Sequence, residues 1–335
     1  MLVAAVLGKR RSSLVEKPDL NAKDEFVVVK VHAAPMCTEF HAFENGDRSD
    51  SHGHEACGEV VDVDRSSRVR VGDRVVVMPQ YPCGECFLCQ SGYYIHCEKN
   101  RNVSQVVPSY QGTGTMAQYV IKQDWLLLPV PDGMSFDHAS MACCGLGPTF
   151  GACETMQAGT GDWVLIAGLG PVGLGGVINA RSRDCRVIGV DGNVYRSKLA
   201  LDLGAEMVID PSDPEGMNRI LALTGGRGVD KAICTAPGQP AKTLAMHAVR
   251  RRGQIAFVAW GGAVNVDEII AKGLTLYGAW HYPLQLAPKL MDTIANQSHA
   301  IEKLITHRFP MTRIQEAWEL QVTGQCGKVI LDPWG

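Results

Sequence analysis

The stretch from Asp162 to Asp191, DWVLIAGLGPVGLGGVINARSRDCRVIGVD, constrains the fold more than any other part of the chain. Its apolar opening, DWVLIAG, predicts a buried strand. Gly168, Gly170 and Gly173 follow in GxGxxG spacing. PVGLGGVINARS predicts a helix with proline in its first turn, and RVIGVD a second strand ending in an acid. Glycine is common here, with 36 residues, so the spacing is weak evidence by itself. The succession of strand, turn, helix, strand and acid carries the reading. Gly168 permits the tight turn, Gly170 lets backbone approach a pyrophosphate, and Gly173 lets helix and strand pack closely. Pro171 and Val172 open the helix whose N-terminus faces the phosphates. Asp191 is placed to accept hydrogen bonds from adenosine ribose hydroxyls and to repel a 2′-phosphate, which favours NAD over NADP. Arg196 lies near enough to complicate that preference.

Around this unit the alternation continues. AEMVID, KAICTA, QIAFVAW and LTLYGAW predict further strands, with helices at 194–204, 214–223, 240–251 and 284–296. Alternation of this kind implies right-handed crossovers and a doubly wound parallel sheet. Upstream of about Ala158 the texture differs: short β-branched runs such as EFVVVKVHA, GEVVDVD and RVVVMP are punctuated by glycine. A length of 335 residues suits two domains. The expected division is a β-rich domain at 1–155, rejoined by 297–335, and a nucleotide-binding domain at 156–296.

Charge and composition exclude several classes. A net charge of -3 gives no reason to expect nucleic acid or an anionic membrane as partner. The most membrane-like stretch, Trp163 to Ala180, is broken by five glycines and a proline and reads as strand, turn and helix. At the start the basic residues follow the apolar run, the reverse of a secretory signal. Twelve cysteines without such a signal point to metal ligands and free thiols in a cytoplasmic protein.

CGECFLCQSGYYIHC sets Cys83, Cys86, Cys89 and Cys97 at metal-ligand spacing. Four thiolates complete a zinc tetrahedron and leave no open position, so the lobe at 83–97 is expected to hold a structural zinc.

The chain resembles the zinc-dependent medium-chain alcohol dehydrogenases over nearly its whole length. The likeness rests on GHEACGEVV (53–61), VGDRV, the four-cysteine lobe, GLGPVG, RSKLALDLGA and TGQCGKVIL (323–331). KLITHRF and KGLTLYG look most like the threonine and polyol dehydrogenase branch. The resemblance implies an α/β protein with a GroES-like catalytic domain and a Rossmann domain, and a reaction in the cleft between them. It implies a catalytic zinc on Cys37, His54 and either Cys143 or Cys144, with Cys144 the closer fit. Zinc lowers the pKa of bound water from 15.7 to about 7, and a bound alcohol responds similarly before hydride leaves for the nicotinamide. In MCTEFH the family's spacing is one residue short. Aligning on Thr-Glu-Phe-His puts Met36 at the ligand position; aligning on Cys37 puts Glu39 where the hydroxyl belongs. With the former register, Thr38 is the relay hydroxyl, Glu39 orients His54, and His41 passes the proton outward. Glu55 tunes the zinc or ligates it transiently.

Phe40, Tyr110 and the segment from Ala279 to Pro283, with His281 and Tyr282, are expected near the substrate. That substrate is an alcohol or ketone: a polyol, sugar or amino alcohol. The LTLYGAW strand resembles the family's edge strand, which implies a homodimer or homotetramer. Two alternatives stand beside this reading: a zinc-free quinone or enoyl reductase of the same superfamily, and a non-catalytic NAD-binding protein.

Overall fold

The computed structural model describes residues 1–103, 106 and 112–335. The chain divides into two compact units. The first comprises 1–145, 283–295 and 305–335; the second comprises 146–282 and 296–304.

In the first unit β1 (Leu2–Gly8) and β2 (Arg11–Glu16) form an antiparallel hairpin. β3 (Phe26–Pro35) is the spine of a larger sheet and pairs antiparallel with β4 (Ala56–Asp62) and β6 (Tyr119–Gln123). β5 (Arg74–Val77) and β7 (Leu127–Pro129) continue the β4 side. Period-two alternation explains why β3 takes this place. Val27, Val29 and Val31 enter one apolar cluster with Met36, Phe43 and Trp318, while Phe26 and Val28 enter another with Ile121. Each valine so buried contributes about 1.5–3 kcal/mol of transfer free energy.

The second unit holds six parallel strands: β8 (Trp163–Ala167), β9 (Arg186–Val190), β10 (Met207–Ile209), β11 (Val229–Cys234), β12 (Val249–Phe257) and β13 (Thr275–Gly278). Their order is β10-β9-β8-β11-β12-β13. Chain direction across the sheet therefore reverses beside β8, the switch point where doubly wound sheets bind ligands. β13 is the sheet's outer edge.

The chain then returns to the first unit. β14 (Ile305–Pro310) and β15 (Lys328–Asp332) pair in parallel, and β15 lies antiparallel to β3.

Three segments fall differently from expectation. The helix Gly147–Thr155 clusters with the second unit, where the buried Asn179 amide donates to Leu146 O at 2.9 Å and Thr149 Oγ1 at 2.8 Å. Residues 283–295 cluster with the first, where Leu284 N donates to Gly92 O at 3.1 Å. Residues 297–304 belong to the second rather than the first.

Candidate active site

Cys37, His54, Glu55 and Cys144 offer donor atoms within 4.8 Å of one another. Three separate pieces of backbone bring them together. Met36 leaves β3 fully buried in the core, its N–H bonded to Val329 O at 2.9 Å. The next residue, Cys37, turns the other way and reaches the cluster. The short spacing of MCTEFH is thus resolved with Met36 as a core anchor. Gly53 precedes His54 with φ +90°, and a Cβ there would meet Thr115 Oγ1 at 2.5 Å and Met116 N at 2.7 Å. Only glycine fits, and its turn presents His54. Of the two adjacent cysteines, Cys144 lies with its Sγ 3.2 Å from His54 Nε2. Cys143 faces the core and bonds Val77 O at 3.4 Å.

Around these donors sits a shell of charge. Glu39 places Oε1 2.5 Å from His54 Nδ1, and its Oε2 accepts from Cys37 N at 3.1 Å. Glu55 is completely buried. Its Oε1 accepts from Lys328 Nζ at 2.7 Å and its Oε2 from Cys144 N at 3.1 Å. Burial pushes the Glu55 carboxyl up to about 7, against the pull of the Lys328 ammonium. Burial opposes charge on His54, yet Glu39 and Cys37 outweigh it and hold the imidazole well above its usual range. The hydrogen bond between Cys37 and Cys144 pulls the Cys37 thiol down and pushes Cys144 up.

Other expected residues lie apart from the donors. Thr38 and His41 are exposed, and the His41 N–H bonds Thr38 O at 3.1 Å to open the helix Phe40–Asn45. Among the described residues no side-chain hydrogen bond joins either to the donor cluster. His52, two residues before His54 and outside the motif, is buried; it bonds Ser49 O at 3.0 Å and packs edgewise on Trp318. Tyr282 and His281 are buried in the second unit, with Tyr282 against Phe150. Tyr110 lies outside the described residues.

The four-cysteine lobe is a second cluster. Its Sγ atoms are 3.5–3.9 Å apart in the bonded pairs. A tetrahedron with zinc–sulfur bonds of about 2.3 Å has an edge of about 3.8 Å, so the four thiols fit that ion. Backbone N–H groups of Cys83, Cys86 and Lys99 point at the sulfurs at 3.2–3.3 Å. All twelve cysteines of the chain are free thiols.

At the end of β8 the glycine turn is built as its spacing requires. Gly168 has φ +99°, and a Cβ on Gly173 would lie 1.8 Å from Gly168 O. The helix Pro171–Arg181 starts from Gly170 with no side-chain cap, so its first N–H groups are open to an anion. Asp191 accepts from Leu169 N at 2.6 Å and Asn193 N at 2.8 Å, which pins its carboxylate beside the turn. Arg196 lies in the first turn of the helix Val194–Asp202, capped by Asn193.

Comparison with known proteins follows the same division. The alcohol dehydrogenase GroES-like domain family matches residues 23–132, and the zinc-binding dehydrogenase family matches residues 171–296. Sorbitol dehydrogenase of Bacillus subtilis (strain 168) is 30% identical over 351 residues, 98% of this chain and 97% of that protein. L-threonine 3-dehydrogenase of Bacillus licheniformis is 31% identical over 333 residues, covering 92% and 91%. This chain belongs to the zinc-dependent alcohol dehydrogenase family. The alcohol dehydrogenase TADH from Thermus sp. ATN1 matches the fold of this dehydrogenase with a TM-score of 0.88 over 99% of each chain, at 22% identity. No helix among the described residues is long and apolar enough to cross a membrane.

Sequence reasoning missed Lys328 in this dehydrogenase. The signal was a lysine inside the apolar run GKVIL, a charge that a central strand buries only beside a countercharge.

Proposed function

We propose that this dehydrogenase moves hydride between a secondary alcohol and NAD, with one catalytic and one structural zinc per chain. The substrate is a polyol, sugar or amino alcohol. Convergence of Cys37, His54, Glu55 and Cys144 carries the reading. Two sulfurs, an imidazole and a carboxylate suit zinc. Cys37, His54 and Cys144 would hold the catalytic ion, and Cys83, Cys86, Cys89 and Cys97 the structural one. When bound, zinc supplies Lewis acidity toward the alcohol oxygen, and the nicotinamide supplies a hydride acceptor.

The chain's own residues do the rest. Glu39 keeps the proton of His54 on Nδ1 and turns Nε2 toward the donors. Lys328 offsets the charge of Glu55, which otherwise stands beside two thiolates. Thr38, next to Cys37 in the chain, is assigned as the relay hydroxyl for the alcohol's proton, and His41, exposed beside Glu44, as its exit to water. Gly168, Gly170, Pro171, Val172 and Gly173 form the pyrophosphate cradle. Asp191 holds the adenosine ribose and disfavours a 2′-phosphate; Arg196 lies on the same rim.

The protein is read as cytoplasmic. β13, the outer strand of the parallel sheet, pairs with its copy in a dimer or in a tetramer of dimers. Metal analysis together with NAD reduction, followed at the absorbance of reduced nicotinamide, tests the proposal. Two zinc per chain and turnover of secondary alcohols are expected. One zinc without turnover points to a non-catalytic NAD-binding protein, and no zinc to a quinone or enoyl reductase; either result overturns it.

A further inference from the structure

A pocket of about 310 Å³ opens beside His54 within the first unit, lined also by Tyr81, Asn100, Arg101, Thr115 and Lys122. None of its described lining residues is acidic. Lys122 projects from β6 and is only 2% exposed. Its ammonium bonds the Gln80 carbonyl and lies 3.9 Å from the centre of the Tyr81 ring. Among the described residues no carboxylate acts on it. Burying an ammonium without an opposite charge is costly, and a carbonyl with a ring face offsets that only in part. Thr115 is 3% exposed, and among the described residues its Oγ1 has no hydrogen-bond partner. The Arg101 guanidinium adds a second positive charge, shared with Glu25 at 3.3 Å.

We infer that this pocket receives an anionic group, carboxylate or phosphate, carried by the alcohol substrate. The inference rests on the dehydrogenase reading above and narrows it to hydroxy acids or polyol phosphates. A neutral polyol offers the buried lysine no opposite charge. An anion supplies one, can accept from Thr115 Oγ1 and lies next to the histidine of the donor cluster. Burial drives Lys122 down to about 7, and an anion at its amine restores the charge.

Calorimetric titration of the full chain with inorganic phosphate, with malonate and with neutral glycerol tests the pocket without turnover. One anion is expected to bind and glycerol not. Lys122→Met weakens that binding about 10- to 100-fold, as loss of a charged hydrogen-bond partner does, and Thr115→Val weakens it less. Binding of phosphate points to polyol phosphates, and of malonate to hydroxy acids. If neither anion binds, or the Lys122→Met variant binds like wild type, the inference falls. Turnover separates it from the broader reading. A preference of about tenfold or more in kcat/KM for an anionic alcohol over its neutral counterpart, lost in Lys122→Met, supports both. Oxidation of neutral alcohols without that preference overturns the pocket alone. Anion binding through Lys122 with no alcohol oxidised overturns the dehydrogenase reading alone.

Discussion

The two clusters of metal donors are built on opposite principles. In the lobe, four cysteines come from one short segment, and the sulfurs take their hydrogen bonds from nearby backbone N–H groups. No distant side chain is needed. The other cluster draws Cys37, His54, Glu55 and Cys144 from three separate stretches and balances them with Glu39 and Lys328. A closed set of like donors can be local and self-sufficient. A mixed set with an open position for substrate needs its charge settled by residues from elsewhere.

Breaking one cluster at a time gives the largest contrast. Cys37→Ala is expected to lose one zinc per chain and to lower kcat/KM by more than about 100-fold, the upper end for losing a mere supporting partner. Its melting temperature stays near wild type. Cys97→Ala loses the other zinc and lowers the melting temperature. Metal content, steady-state rates and thermal melts read all three quantities. Equal melting losses from both variants would erase the distinction.

Next comes the buried pair. Lys328→Met leaves Glu55 buried without its counterion, and is expected to cost about 3–5 kcal/mol in denaturant unfolding. Adding Glu55→Gln to that variant recovers much of the loss. Failure of the double variant to recover would mean that Lys328 acts on something other than Glu55. Glu39→Gln, which keeps the shape and removes the charge facing His54, should reduce metal affinity or activity about 10- to 100-fold. Cys143→Ala should do least. It trims a buried thiol at about 1 kcal/mol and leaves zinc content and turnover intact, whereas its neighbour Cys144→Ala loses the zinc.

The same contrast governs what could be read from residues alone. The lobe was legible because its spacing is its geometry. The parallel strands and the glycine turn were legible for the same reason, since periodicity and turn chemistry act within a few residues. Some ends moved: the helix expected to run to 251 stops at Ala248, because Val249 already pairs with Val229 in the sheet. The helix Val266–Lys272 and the β1–β2 hairpin were not anticipated: the helix is short with no buried residue, and the hairpin buries only its first strand. The register of Met36 and Cys37 was not legible, because much of the core that claims Met36 comes from Trp318 and Val329, far along the chain. The resemblance favoured Cys144 over Cys143, a choice whose cause lies in Val77 and His54 on opposite sides. Lys122 shows the same limit: its surroundings come from Gln80 and Tyr81 on another stretch.

Glu55 and Lys328 stand 273 positions apart. During synthesis the thiols and the imidazole emerge long before the ammonium that lets Glu55 leave water. The buried pair therefore cannot form until the end of the chain has been made, whereas all four cysteines of the lobe are in place by Cys97.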